Sequence, residues 1–206
     1  MSRSSFQRQP HPRTIGVKFL IVCEGDGEEA YFKAIRQDLS LPKERIVILN
    51  ESGTDPRTII QTVINYKEGL QKSRSWLAGD TAWAAFDGDE HRDNNPENWY
   101  QALALAQTKN INLALSNPSL ELWYLLHYQD QEASIHRDKA LEELRKHAPG
   151  YKKPQALYPG PPGAIPLAIQ RAARLAQRNE ENGQPFHHNP CSGIGLLVEL
   201  LLPLRR

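Results

Sequence analysis

The first 130 residues alternate between short apolar runs rich in β-branched side chains and longer segments whose apolar residues recur at helical spacing. Four of the apolar runs are predicted to be buried strands. They are VKFLIVC at 17–23, RIVILN at 45–50, TAWAAF at 81–86 and INLAL at 111–115. Strands that alternate with helices predict an α/β fold, with a small parallel sheet covered by helices on both faces. The carboxyl ends of such strands share one edge, where open α/β sheets bind their ligands.

The helices of this region carry start signals. Thr54 or Asp55 is expected to cap the second helix, with Pro56 in its first turn, and Asn95 is expected to cap a later one. The compact apolar segment SLELWYLLHY at 119–128 predicts a buried helix after the fourth strand.

The pattern changes after about residue 131. The expected elements there are a charged amphipathic helix at 138–147, a proline-rich connector, an Arg- and Ala-rich helix at 165–179 and an apolar helix at 194–202. We therefore divide the chain into a disordered tail at 1–13, an α/β core at 14–130 and a mostly helical C-terminal extension at 131–206.

Composition narrows the class of protein. The chain has 206 residues, with 25 basic and 24 acidic side chains, and this balance excludes a polybasic coat protein and an acidic disordered chain. Cys23 and Cys191 are the only cysteines, which excludes a disulfide scaffold and a Cys-rich zinc site and fits a reducing cytoplasm. No apolar run approaches the roughly 20 residues of a membrane span, so no membrane segment is expected.

Acidic residues follow three of the predicted strands. Glu24 comes after the first strand, Asp87 and Asp89 come after the third, and Glu28 and Glu121 lie at helix starts. Carboxylates brought together at one sheet edge repel each other, and a hard divalent cation removes that conflict. The sequence therefore predicts an Mg²⁺ site, with Mn²⁺ as the alternative ion. The competing interpretation is that each acid only caps a helix or favours its dipole.

The glycines of the first loop allow a second interpretation. Gly25 and Gly27 follow a strand and open a helix, which formally matches the dinucleotide-binding fingerprint. However, the loop also contains four carboxylates, which would repel a pyrophosphate. This repulsion disfavours a nicotinamide or flavin cofactor.

Four segments together resemble the RloB family of Toprim-domain proteins. They are IVCEGDGEEAYFKAIR, AAFDGDEH, LALSNPSLELWYLLHY and HNPCSGIGLLVELL, in this order along most of the chain. The resemblance implies a Toprim-like α/β core at 14–130. The Toprim signature is one Glu after the first strand and Asp-x-Asp after the third, which correspond here to Glu24, Asp87 and Asp89.

The resemblance extends to nucleases of the OLD type. These carry a second acidic residue in the first loop, which Glu28 resembles, and a later Ser…Glu pair. Ser119 or Ser116 with Glu121 resembles that pair. The family resemblance implies an Mg²⁺-dependent endonuclease that hydrolyses phosphodiester bonds, a role in bacterial anti-phage defence, and an ATPase as partner protein.

Roles for individual residues follow from this chemistry. Asp87 and Asp89 would hold Mg²⁺, and Glu24 would complete the site or act as general base. Glu28 and Glu121 would supply a second metal position.

Basic and polar neighbours of the acids are the other candidates. Lys152 or Lys153 would neutralise transition-state charge, although a solvated surface is the simpler interpretation. His91 is either a proton shuttle or a loop hydrogen-bonding group. Asn117 either shapes a turn or contacts the scissile phosphate. His187 and His188 are adjacent, but no Cys or carboxylate lies at metal-ligand spacing from them.

Two other functions stay open at this point. Six arginines on predicted helices could instead form the surface of a non-catalytic module that binds nucleic acid or a protein partner: Arg36, Arg57, Arg74, Arg171, Arg174 and Arg178. Nucleotidyl transfer, as in primase Toprim domains, is the third class. The sequence does not choose between RNA, including tRNA, and DNA as substrate, or between a monomer and a homo-oligomer.

Overall fold

The computed structural model describes residues 16–51 and 55–205. The predicted disordered tail and the Thr54 cap lie outside these residues.

The fold is α/β, as predicted. Four strands form a parallel sheet in the order β2-β1-β3-β4. Their bounds are Phe19–Cys23 for β1, Ile46–Asn50 for β2, Thr81–Ala85 for β3 and Asn112–Leu113 for β4. The fourth strand is shorter than predicted and pairs with β3 over two residues, Asn112 and Leu113. The chain then forms β5 (Ser116–Asn117), which pairs antiparallel with β6 (Cys191–Ser192) near the C-terminus.

Eight α-helices surround the two sheets within the described residues. They are α1 (Asp26–Asp38), α2 (Pro56–Lys72), α3 (Asp89–Asn94), α4 (Pro96–Thr108), α5 (Leu120–Leu125), α6 (Arg137–His147), α7 (Ala164–Glu181) and α8 (Ile194–Leu201), and a 3₁₀ turn follows at Leu202–Leu204. The predicted helix caps that lie within the described residues are confirmed. The Asp55 side chain accepts from the backbone N–H groups of Arg57 and Thr58, and Asn95 accepts from Asn98.

The alternation of side chains along β1 creates two apolar layers. Phe19, Ile21 and Cys23 join a core formed with α1, α5, α7 and α8. Leu20 and Val22 point to the opposite face, where they pack with α2 and α4. Successive strand residues face opposite sides of a sheet, and all five of these residues are buried, so β1 is covered on both faces.

Two helical predictions need correction. The sequence does not predict helix α3, DEHRDN, because this segment has no apolar stripe. Helix α5 covers 120–125 rather than the predicted 119–128, since the following residues form turns.

The C-terminal extension shares the larger apolar layer with the sheet. Leu144 of α6, Leu175 of α7 and Leu197 of α8 are buried in the same cluster as Ile21. The connector between α6 and α7 is described throughout and contains no helix or strand, as its prolines predict. No helix among the described residues is long and apolar enough to cross a membrane.

Candidate active site

The acidic residues predicted from the first and third strands meet at the carboxyl edge of the sheet. The Glu24 N–H donates to Ala85 O, at 2.9 Å, so Glu24 lies directly beyond β1 and next to the end of β3. The Asp87 N–H in turn donates to Glu24 Oε2, at 3.2 Å. The two acids are therefore brought together by the β1–β3 pairing, because parallel neighbouring strands end on the same edge.

His91 contacts the second oxygen of the Glu24 carboxylate. Its Nε2 lies 2.8 Å from Glu24 Oε1. Both side chains are about one-fifth exposed, at 22% each. Helix α3 provides this contact, since it carries His91 back toward the edge of the sheet after the Asp-Gly-Asp motif. One oxygen of Glu24 thus meets a backbone donor and the other meets an imidazole, which fixes the orientation of the carboxylate.

Asp87 is the most constrained acid of the site. Its Oδ1 accepts from the Leu120 N–H at the start of α5, at 2.8 Å, and its Oδ2 lies 3.0 Å from the Arg137 guanidinium. The same guanidinium lies 3.7 Å from Asp89. Burial raises the pKa of Asp87 well above its ordinary value, and the neighbouring carboxylates raise it further against the opposing effect of Arg137.

Glu121 is held by three side chains. Ser119 Oγ donates to its Oε2 at 2.7 Å, and Tyr151 OH donates to its Oε1 at 2.9 Å. The Lys153 ammonium lies 2.9 Å from Oε2. Burial alone would raise the pKa of Glu121, but the hydrogen bonds and the lysine charge outweigh it and hold this pKa below its ordinary value. Of the two serines considered, Ser119 is the partner of Glu121.

Glu28, on the first turn of α1, lies near both Glu24 and Glu121. Only 7% of this residue is exposed. Burial raises its pKa to about 7, and the charges of Glu24 and Glu121 add to the increase. Its carboxylate packs close to Gly25, where a Cβ would meet Glu28 Oε2 at 3.0 Å. The missing side chain at Gly25 is therefore what gives Glu28 its room.

A cavity of about 330 Å³ opens among these residues. Glu28, Asp87 and Glu121 line it on the acidic side, and Tyr151 and Lys153 line it on the side of the connector. The cavity is therefore bordered by both the α/β core and the C-terminal extension. Carboxylates and an ammonium group facing the same space match what a phosphate and its counter-ion require.

Two predicted residues lie elsewhere. Lys152 is exposed and does not line the cavity, so Lys153 is the lysine at this site. Asn117 is fully buried, and its amide donates to His187 O at 2.8 Å. Its Cβ lies against Gly88, where an added Cβ would approach it to 3.0 Å, so Asn117 supports the Asp-Gly-Asp loop from beneath.

Sequence reasoning missed Arg137 and Tyr151 as site residues. Both lie in the C-terminal extension, far along the chain from Asp87 and Glu121. Arg137 is one of many surface-type arginines in the sequence, and nothing in its neighbourhood marks it. Tyr151 stands next to two lysines in an irregular connector, and that Tyr-Lys-Lys run was the one available signal.

Five of the six arginines considered for a binding surface are engaged within the chain. Arg36 donates to Ile46 O at 3.0 Å, and Arg57 donates to Gln101 at 3.1 Å. Arg171 of α7 donates to Leu126 O at 2.7 Å, and Arg174 bonds Asp130. Arg178 donates to the backbone oxygen of Glu132 at 2.7 Å. The last three contacts attach α7 to the segment that follows α5.

The chemistry of the donor set fits a hard divalent ion, although its arrangement is not that of a preformed metal site. No three His, Cys, Asp or Glu side chains in the described part of the chain are placed to hold an ion together. The site nevertheless offers carboxylate oxygens from Glu24, Glu28, Asp87 and Asp89, which are ligands that Mg²⁺ prefers. The raised pKa values of Glu28 and Asp87 show that Arg137 and the other nearby cations do not offset the cost of ionising these two acids.

Comparison with known proteins agrees with the resemblance seen in the sequence. Residues 19–201 match the family of RloB-like proteins. No curated protein and no solved structure matches the chain. Because the family match extends from β1 to the last residue of α8, the chain belongs to the RloB-like family.

Proposed function

We propose that this protein is an Mg²⁺-dependent nuclease that hydrolyses phosphodiester bonds in RNA or DNA, with Mn²⁺ as an alternative ion. One observation carries the proposal. Asp26, Glu28, Asp87 and Glu121 line a cavity at the carboxyl edge of a parallel sheet, and burial and mutual repulsion raise the pKa of Glu28 and Asp87. Such an arrangement is costly to the apo protein and is relieved by a cation, which is a common design of phosphoryl-transfer sites.

Asp87 and Asp89 would hold the ion, and Glu28 would extend the ligand set. Glu24 would either complete this set or act as general base. When bound, Mg²⁺ supplies charge stabilisation for a phosphate oxygen and lowers the pKa of water. Arg137, which pairs with Asp87 and Asp89 in the metal-free chain, would be available to contact a substrate phosphate.

The chain's own groups would perform the proton transfers. Glu24 is oriented by the Asp87 N–H and by His91, so its carboxylate is fixed at the carboxyl edge of the sheet. A carboxylate fixed in this way can accept a proton from an attacking water, and His91 can relay that proton to solvent. Lys153, half-exposed beside Glu121, is placed to contact a phosphate that enters the cavity.

Arg137 also supports a second candidate function. Its guanidinium already neutralises part of the charge of Asp87 and Asp89, so the acidic cluster could serve to hold α6 against the sheet. The protein would then be a non-catalytic module that binds nucleic acid or a partner. Nucleotidyl transfer by the same acids is the third candidate.

The setting in bacterial anti-phage defence and the ATPase partner form part of the proposal, and both rest on the family resemblance alone. tRNA is one substrate to be tested among RNAs and DNAs.

The deciding experiment compares wild type with Asp89→Asn on tRNA, single-stranded DNA and duplex DNA, in Mg²⁺, Mn²⁺ and chelator, with and without the ATPase. Asp93→Asn is the matched control, because it is the same substitution on the same helix at a well-exposed position, 64% exposed. Cleavage by wild type and Asp93→Asn that is lost in Asp89→Asn and in chelator supports the proposal.

Other outcomes favour the alternatives. Equal cleavage by wild type and Asp89→Asn would reject the assigned site. Binding without cleavage under every condition would favour the non-catalytic module. Incorporation of a labelled nucleotide would identify a transferase.

A further inference from the structure

A second cluster of interest consists of four side-chain rings. Trp99 and Tyr100 of α4 meet Phe186 and His187 from the loop between α7 and β6. The ring centroid of His187 lies 5.4 Å from that of Trp99, 6.2 Å from that of Tyr100 and 5.2 Å from that of Phe186. All three contacts are edge-on, which is a favourable geometry for aromatic pairs.

The four rings differ sharply in burial. Trp99 is fully buried and His187 is 5% exposed, whereas Tyr100 is 58% and Phe186 57% exposed. The buried pair anchors the cluster, and the outer pair presents two aromatic rings to solvent. The Nδ1 atom of His187 is buried and has no hydrogen-bond partner among the described residues.

The cluster is tied directly to the acidic site. Asn117 donates to His187 O at 2.8 Å and lies beneath Gly88, between the two aspartates of the Asp-Gly-Asp motif. Gly88 directly precedes helix α3, which begins at Asp89. The contacts of Asn117 therefore connect the ring cluster to the loop that carries the two aspartates.

One guanidinium group lies near His187, and a second is bound to the helix that carries Trp99 and Tyr100. Arg92 lies close enough to His187 to lower the pKa of the imidazole, together with burial, which is the larger cause. Arg57 donates to Gln101, the neighbour of Tyr100 on α4, at 3.1 Å. Arg92 pairs with exposed Asp93 beside it in sequence, and a surface pair of this kind is weak enough to be exchanged for a phosphate.

We propose that Tyr100 and Phe186 form a stacking platform for unpaired bases of the nucleic-acid substrate. This inference rests on the proposed nuclease function, and it names the form of the substrate as single-stranded. Exposed aromatic rings stack on the faces of any unpaired base, while arginines contact the backbone, so the site would bind with little sequence preference. Duplex bases are already stacked on each other and cannot use it.

A protein partner fits this surface less well. Protein-binding patches have an apolar, desolvated centre, whereas the exposed rings here surround His187, which has Arg92 nearby. Two exposed rings around a polar group match the interleaving of aromatic and basic side chains typical of single-strand binding.

The test measures the affinity of the full chain for fluorescent single-stranded RNA and DNA oligonucleotides and for duplexes of the same sequences. Chelator is present so that no cleavage occurs. The variants are Tyr100→Leu, Phe186→Leu and the double variant, with Tyr100→Trp as the ring-preserving change. Tyr66→Leu is the control, because Tyr66 is an exposed tyrosine of α2, at 42%. Circular dichroism and thermal unfolding verify that each variant folds.

We expect the double variant to bind single strands about tenfold more weakly or worse, and Tyr100→Trp and Tyr66→Leu to stay within about twofold of wild type. The inference is overturned if the double variant binds single strands as wild type does, or if wild type binds duplexes equally well. It is also overturned if the double variant only dissociates a homo-oligomer, since the rings would then be a contact between copies.

The same experiments distinguish a failure of the stacking platform from a failure of the proposed nuclease function. Intact oligonucleotide binding by the double variant, together with cleavage that Asp89→Asn abolishes, would reject the platform and keep the nuclease. Weakened binding in the double variant, with no cleavage by wild type in Mg²⁺ or Mn²⁺, would keep the platform and reject the nuclease.

Discussion

Replacing Glu28 with Gln should stabilise the metal-free protein, and the gain should depend on pH. Burial and neighbouring carboxylates raise the pKa of Glu28 to about 7 in the folded chain, from an ordinary value of 4.5. The folded chain therefore holds this proton more tightly than the unfolded chain does. The stability linked to the proton is fully present below pH 4.5 and is lost as the pH rises through 7.

The size of the effect follows from the two pKa values. One pKa unit corresponds to about 1.4 kcal/mol. Because the pKa rises from 4.5 to about 7, ionisation of Glu28 lowers the free energy of unfolding by about 3 kcal/mol above pH 7. Glutamine keeps the shape of the side chain but carries no charge at any pH. At pH 8 the Glu28→Gln variant should therefore be more stable than wild type by up to about 3 kcal/mol, or roughly 6–12 °C in melting temperature.

The assay is urea-induced unfolding in chelator at pH 5, 6, 7 and 8. Glu29→Gln is the matched control, because Glu29 is on the same helix turn but pairs with Lys33 at 2.6 Å near the surface. Its replacement should change stability by less than about 1 kcal/mol, because a surface ion pair contributes little. A Glu28→Gln variant that is less stable than wild type at pH 8, or whose difference from wild type is the same at every pH, would refute the reasoning. Millimolar Mg²⁺ should narrow the difference at pH 8, because the ion relieves the same repulsion in wild type.

The remaining predictions concern the metal, Arg137 and Asn117. A hundredfold excess of Mg²⁺ over its Kd should stabilise wild type by about 2.7 kcal/mol in thermal unfolding, and Asp89→Asn should lose this response. Arg137→Gln should lower the free energy of unfolding of the metal-free protein in urea by about 2 kcal/mol, because it leaves Asp87 without its 3.0 Å partner. Mg²⁺ should raise the melting temperature of this variant more than that of wild type. Asn117→Ala should cost about 1–3 kcal/mol, since the buried His187 carbonyl loses its donor, and faster amide exchange in the 185–190 loop should report the release.

Local sequence patterns were sufficient to predict the strands of the sheet and the meeting of Glu24 and Asp87 at its edge. The apolar runs at β1, β2 and β3 and the caps at Asp55 and Asn95 are local signals, so they predicted the elements and their order. Parallel strands end on one edge, which predicted that Glu24 and Asp87 meet there, and the structure confirms it with a 3.2 Å hydrogen bond. Helix α3 has no apolar stripe, so no local signal could have predicted it.

The rest of the site depends on long-range contacts. Arg137 reaches Asp87 across 50 positions of the chain, and Tyr151 reaches Glu121 across 30. Their side chains have no periodic pattern, and their neighbours in sequence have ordinary surface chemistry. Only the packing of α6 and the connector on the same apolar layer as β1 brings them to the sheet edge. Which lysine lines the cavity was decided by the path of the irregular connector, since Lys152 and Lys153 are chemically identical and differ only in the direction that the backbone gives them.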